Sequence, residues 1–279
     1  MEISSVGICM IPWPCMYVHS SHLDNTRSLH GAYLAKNPRP WQNNSDRWVL
    51  FYTGMPSKGD PLAARKIGVA YANSLFGPWT RWGSPVFEAS PSAARIDNSS
   101  VSNAAPSIAA DGSVLLAYKG LGAQQPNKPP CTDGSGKACI FFARAPHWAG
   151  PYERLNLSVS DPNDSGSGMS TSTKSYFLGE DPTLWQSGAN EWHLVYEKYV
   201  RDKANHVGAH AFSADGHNWH ITKNTSWIST RVVMEGTGTL ELTKRERYQV
   251  VLGEGGRPAS LFNGAGSGGS CYNLVTPVA

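Results

Sequence analysis

Apolar and β-branched runs recur along the chain at measured intervals, each bounded by turn residues. The runs "WVLFYTG" (48–54), "VLLAYKG" (114–120), "WHLVYEK" (192–198) and "PASLFNG" (258–264) carry aromatics at matched places. These are Tyr52, Tyr118, Tyr196 and Phe262, spaced 66, 78 and 66 residues apart. Such runs between Gly, Asn and Asp clusters read as buried strands. A second set follows each of the first three: "KIGVAYA" (66–72), "CIFFARA" (139–145) and "VGAHAFSA" (207–214). A third set, "FGPWTRW" (76–82), "AGPYERL" (149–155) and "DGHNWHI" (215–221), pairs a glycine turn with an edge-strand aromatic.

Upstream of each aromatic run another apolar stretch opens on a polar residue. Asn103 lies 15 residues before Tyr118, Asp181 lies 15 before Tyr196, and Glu246 lies 16 before Phe262. His30 and Gly31 lie roughly that far back in the first repeat once "KNPRPWQNNSD" is set aside. The pattern predicts units of four antiparallel strands repeating at roughly 70 residues, the signature of propeller blades. A β-sandwich whose polar strand starts face water fits the same periodicity. The predicted units are 22–90, 91–160, 174–230 and 240–279, after an atypical segment 1–21, all in one domain. In a propeller the first strand of each unit runs along the axis, so its polar opening residue faces the channel mouth. Glu180 and Asp181 are neighbours and should point to opposite faces. Asp181 is expected to face the channel, and Glu180 to turn toward the rim or the adjacent unit and hold an arginine. Pro182 suits the first position of a strand.

Composition agrees with an all-β chain. The 279 residues include 28 Gly and 19 Pro, and only 16% are charged. The net charge of +3 comes without a Lys/Arg cluster, which argues against nucleic acid. No apolar run reaches the ~18 residues that a membrane helix needs. The chain is therefore expected to bind neither nucleic acid nor membrane, and to be monomeric. Cysteines stand at 9, 15, 131, 139 and 271 without a CxxC pair, so no zinc site is expected. Cys131 and Cys139 bracket "TDGSGKA" and are either a disulfide closing that loop or free thiols. Five Asn-x-Ser/Thr acceptors, at Asn43, Asn98, Asn156, Asn163 and Asn224, suit an extracellular glycoprotein. The opening "MEISSVGICMIPWPCMYV" nevertheless makes a poor signal peptide, with an acidic second residue and two prolines. Tryptophans at repeated strand positions (Trp48, Trp79, Trp192, Trp219), and Trp185, are expected in the core. His193 and His210 are expected in structural roles. His30, at the head of the first unit, is a candidate for a ligand-holding or supporting role.

The segments "FGPWTRW", "SNAAPSIAADGSVLLAYKG", "AGPYERL", "GEDPTLW", "SADGHNW" and "RERYQVVLGEGGRPASLFNG" together resemble the five-bladed propeller glycoside hydrolases, and are similar to an uncharacterised branch related to glycoside hydrolase family 43. The likeness runs from about Asp24 to Phe262. An Asp…His-Asn-Pro segment of the family is matched by Asp24 and His30, with Gly31 and Ala32 replacing Asn and Pro. The family's Arg-Glu-Arg-Pro-Gln is matched by Arg245, Glu246, Arg247 and Gln249, with Tyr248 replacing the proline. Ser102-Asn103 and Glu180-Asp181-Pro182 match two further motifs.

The resemblance implies a β-propeller of the five-bladed glycosidase type with about four blades recognisable here. It implies hydrolysis of a glycosidic bond in a polysaccharide or oligosaccharide. Such cleavage needs one carboxyl group to protonate the leaving oxygen and another, ionised, to serve water or the anomeric carbon. Glu246 is the expected acid and Asp181 its supporting carboxylate. His30, Asn103, Glu180, Arg245 and Arg247 are the expected sugar-positioning residues. Relatives carry a further blade ahead of the Asp24 segment, which in family 43 proper supplies the base. Only residues 1–21 stand there, so Asp24 is the substitute candidate for the base. Either "EISSVGICM" or the tail "CYNLVTPV" is expected to complete the last unit, or that unit stays open. No cofactor is implied, although relatives of this fold sometimes hold calcium in the channel. The alternatives are a non-catalytic carbohydrate-binding propeller and an interaction scaffold.

Overall fold

The computed structural model describes residues 26–41, 45–56, 65–122, 131, 138–161, 174–188, 191–199, 206–222, 230–234, 238–267 and 270–278. The described chain is almost wholly β-strand, and none of its helices is long and apolar enough to cross a membrane. It divides into two compact units. One holds the described residues up to Ser158 together with Lys174–Pro182; the other holds 159–161 and the chain from Thr183 onward.

The first unit contains two antiparallel meanders. β1 (Thr26–Lys36), β2 (Trp48–Pro56), β3 (Lys66–Ala72) and β4 (Thr80–Arg81) lie in sequence order. β5 (Ser100–Ile108), β6 (Val114–Leu121), β7 (Cys139–Ala145) and β8 (Glu153–Arg154) repeat that order. Period-2 alternation sends Val49 and Phe51 from β2, and Ile67 and Val69 from β3, into one core with Leu116, Tyr118, Phe141 and Trp148. The turns before β4 and β8 carry cis Gly77-Pro78 and Gly150-Pro151 bonds, in the two segments "FGPW" and "AGPY" that matched in sequence. Cys131 and Cys139 are joined as a disulfide, with 5.4 Å between their Cα atoms.

β9 (Ser158–Ser160) precedes β10 (Phe177–Gln186), which passes from the first unit into the second. Its first residues, Phe177 and Leu178, pair with Ile140 and Cys139 of β7. In the second unit its remainder continues into β11 (Trp192–Tyr199), β12 (His206–Ser213) and β13 (Asn218–Ile221), with β9 beyond β13. A hairpin of β14 (Arg231–Met234) and β15 (Gly238–Glu241) follows, which the repeat did not foreshadow. The last meander is β16 (Lys244–Leu252), β17 (Pro258–Ser267) and β18 (Ser270–Pro277). The tail "CYNLVTPV" thus supplies the third strand of that meander; "EISSVGICM" lies outside the described residues. Trp185, Val195, Tyr248 and Leu261 form the core shared by β10, β11, β16 and β17.

Trp185, Trp192 and Trp219 are buried as expected, while Trp48 and Trp79 are half-buried. His193 and His210 are each other's partners, with Nδ1 and Nε2 3.1 Å apart. Their rings lie 15° from coplanar with centroids 5.3 Å apart, so the facing nitrogens point at one another and one N–H is shared. Trp185 lies nearly parallel to His193, 5.1 Å away. Burial, and then the neighbouring His193, pull the His210 imidazole down to about 4; burial also lowers His193, against the pull of Glu191. Because the folded values lie below the unfolded one, the unfolded chain takes up more protons as pH falls. Stability should therefore drop between about pH 6.5 and pH 4, by up to about 3 kcal/mol, and level off below. Urea melts across that window would read the slope, and His210→Gln should flatten it.

Candidate active site

The polar opening residues sit on a repeated backbone irregularity. One extra residue interrupts the ladder between His30 and Tyr33 of β1, between Ser102 and Ala105 of β5, and between Glu246 and Gln249 of β16. At each break one residue is left-handed: Gly31 (φ 58°), Asn103 (φ 48°) and Arg247 (φ 58°). Asp181 in β10 shares that conformation (φ 51°). Left-handed non-glycine residues are uncommon and concentrate where a strand must re-aim a side chain. Asn103, Asp181 and Arg247 each stand 15 residues ahead of the matched aromatic, so in the last repeat the equivalent residue is Arg247, one beyond Glu246. Gly31 similarly takes the place offered to His30. A side chain at position 31 would bring its Cβ to 3.0 Å from Asn103 Oδ1, which accounts for glycine there.

In the first unit Asn103 and Asp181 are both buried and joined directly: Asn103 Nδ2 donates to Asp181 Oδ1. The backbone N–H of Asn103 donates to Thr53 Oγ1 at 3.0 Å. Glu180 bonds to Lys119 Nζ of β6. For His30 the strand position alone is described, opposite Thr53. Asp24 lies outside the described residues.

In the second unit Glu246 is half-buried, and a carboxylate oxygen of Glu197 lies within 4.8 Å of one of its own. Glu197 is 4% exposed and sits inside β11 opposite Gly208. Arg247 Nε stands 4.0 Å from Glu246 Oε1. Arg245 Nη2 donates to Asn263 Oδ1 at 2.8 Å. Its carbonyl accepts from the Tyr248 hydroxyl at 2.9 Å. Burial lowers the Arg245 guanidinium from its ordinary value. Thr183 Oγ1 donates to the Tyr248 carbonyl, tying β10 to β16.

Thr53, Lys119 and Glu197 were missed as site residues, yet a signal for them existed. Each immediately follows a matched aromatic: Tyr52-Thr53, Tyr118-Lys119, Tyr196-Glu197 and, in the last repeat, Phe262-Asn263. Each of the first three meets the opening stretch of the next repeat: Thr53 meets Asn103, Lys119 meets Glu180, and Glu197 meets Glu246. Polar residues one place past a core aromatic, inside an otherwise apolar strand, are costly to bury without a partner.

Structural comparison bears on the fold. A β-xylosidase matches 91% of this chain and 71% of its own, at 14% identity and a TM-score of 0.54. The fold is a β-propeller of the glycosidase type. A thermostable family 43 glycoside hydrolase matches 84% of the chain and 67% of its own, also at 14% identity, with a TM-score of 0.50. A family 117 glycoside hydrolase from the marine bacterium Zobellia galactanivorans is 20% identical over 75% of the chain, with a TM-score of 0.47. The present chain spans about half the length of that enzyme. No protein-family model matches the sequence, and no curated protein matches it.

Proposed function

We propose that this propeller is a glycoside hydrolase acting on a polysaccharide or oligosaccharide. The observation that supports the reading best is Glu246, half-buried with Glu197 within 4.8 Å, on a fold whose solved likenesses include a β-xylosidase and a family 43 hydrolase. In this mechanism Glu246 protonates the departing glycosidic oxygen. Asp181, held by Asn103, supplies the negative charge that steadies the oxocarbenium-like transition state. Asn103, His30, Glu180, Arg245 and Arg247 position the sugar, with Arg247 also beside the acid. Asp24 is the candidate base. The Cys131–Cys139 disulfide supports an extracellular setting, where such bonds persist.

A second reading is a non-catalytic carbohydrate-binding propeller, favoured by Gly31 and Ala32 where the resembling family carries Asn and Pro. Incubating the protein with a panel of aryl glycosides and oligosaccharides separates the two. Turnover that Glu246→Gln abolishes supports the hydrolase. Saturable binding of a sugar with no turnover in either form supports the binding module.

A further inference from the structure

We infer that Thr53 is a positioning residue for the Asn103–Asp181 pair, acting on the backbone of Asn103 rather than on any substrate. The inference rests on the hydrolase reading for its catalytic consequence, but not for its structural content. β5 carries one more residue than β6 between Ser102 and Ala105, so an N–H in the bulge loses its ladder partner. Asn103 is that left-handed residue, and it is 9% exposed. A buried N–H needs an acceptor, and Thr53 Oγ1 supplies it from 50 residues upstream. Thr53 is itself fully buried and paired on both sides, to His30 of β1 and Ile67 of β3. Its branched side chain is stiff at χ1, so the oxygen is offered in one place.

The rest of Asn103 is confined by the same surroundings. Its Nδ2 donates to Asp181, while its Oδ1 is buried without a hydrogen-bond partner against the backbone of Gly31. The carboxamide therefore has one directional bond of its own, and the backbone bond to Thr53 fixes the base from which it projects. Without the Thr53 hydroxyl, the bulge can relax toward an ordinary extended residue, swinging the carboxamide off Asp181.

The test compares Thr53→Val, which keeps the shape and removes the oxygen, with Thr53→Ser, which keeps the oxygen. Amide hydrogen exchange is read by NMR on the full chain. In Thr53→Val the Asn103 amide should exchange at least about tenfold faster, while Leu116 and Ala117 of β6 keep wild-type protection. The Asn103 side-chain amide resonances should shift in the same variant, and Thr53→Ser should restore both. Unchanged Asn103 protection in Thr53→Val, or failure of Thr53→Ser to restore it, would overturn the inference. So would an equal acceleration across β5 and β6, which marks a merely structural role. If the wild type turns over a glycoside, kcat should fall about 10- to 100-fold in Thr53→Val with KM changed much less, as expected of small misplacements. A wild type without turnover removes the hydrolase reading, and the exchange data still decide the role of Thr53.

Discussion

Glu246→Gln should lower turnover of unactivated glycosides by about 10²- to 10⁴-fold, the usual loss on removing a general acid. Gln keeps the size and hydrogen-bonding reach of Glu246 but carries no transferable proton. The fold should survive, because Glu246 is only half-buried and sits at a strand irregularity rather than in the core. The loss should depend on the leaving group. A dinitrophenolate departs without protonation, so its glycoside should lose far less activity than an alkyl glycoside or a natural oligosaccharide. Equal losses on both substrate types would mean that Glu246 acts by holding the sugar, and no loss on either would remove it from the chemistry. Glu197→Gln is the companion variant. It changes the carboxylate within 4.8 Å of Glu246 while leaving the proposed donor in place. An effect confined to the pH profile would show that Glu197 acts through Glu246.

Asp97→Asn should be strongly destabilising, costing about 3 kcal/mol. Asp97 is fully buried and takes three charged or polar donors. Arg95 Nε reaches Oδ1 at 3.0 Å, while Arg154 Nε at 2.6 Å and the Tyr118 hydroxyl at 2.8 Å reach Oδ2. Arg154 also lies over the Phe87 ring, 4.4 Å from its centroid, and donates to the Glu88 carbonyl. The neutral amide of Asn cannot satisfy two guanidinium groups, and turns at least one of its own donors toward them. Burial alone would raise the Asp97 carboxyl, but Arg154, Tyr118 and Arg95 together hold it below its ordinary value. A carboxylate with a depressed folded value contributes stability above its unfolded value, near 3.8, which is lost as pH falls through the folded one. The wild type should therefore lose this contribution only in strong acid, and Asp97→Asn should lack it at neutral pH. A melting temperature lower by about 5–10 °C at pH 7 would accord with that cost. A double-mutant cycle with Arg154→Met would isolate the pair. Additive effects there would show that the two groups do not act together.

The aromatic at Tyr52, Tyr118, Tyr196 and Phe262, and the polar residue that opens the preceding strand, were legible from spacing alone. So were the strands around them, and the pairing of Cys131 with Cys139 was one of two readings the loop allowed. These features are local: an apolar run between turn residues states its own strand, and its alternation states which side chains face the core. The alternation argument failed where it mattered most. A single inserted residue in β1, β5 and β16 leaves no mark in a hydrophobic pattern, yet it decides that Arg247 rather than Glu246 takes the left-handed place.

The sequence by itself determined an all-β repeat with one polar residue heading each unit, because a period of two and a recurring aromatic need only neighbouring residues to be expressed. Tertiary structure alone decided the partners of those polar residues. Thr53 meets Asn103 across 50 residues, Lys119 meets Glu180 across 61, and Asn103 meets Asp181 across 78. Burial supplied the selection: a polar group removed from water must find a complement wherever the folded chain brings one. Thr53, Lys119 and Asn263, each one place past an aromatic, became such complements for Asn103, Glu180 and Arg245.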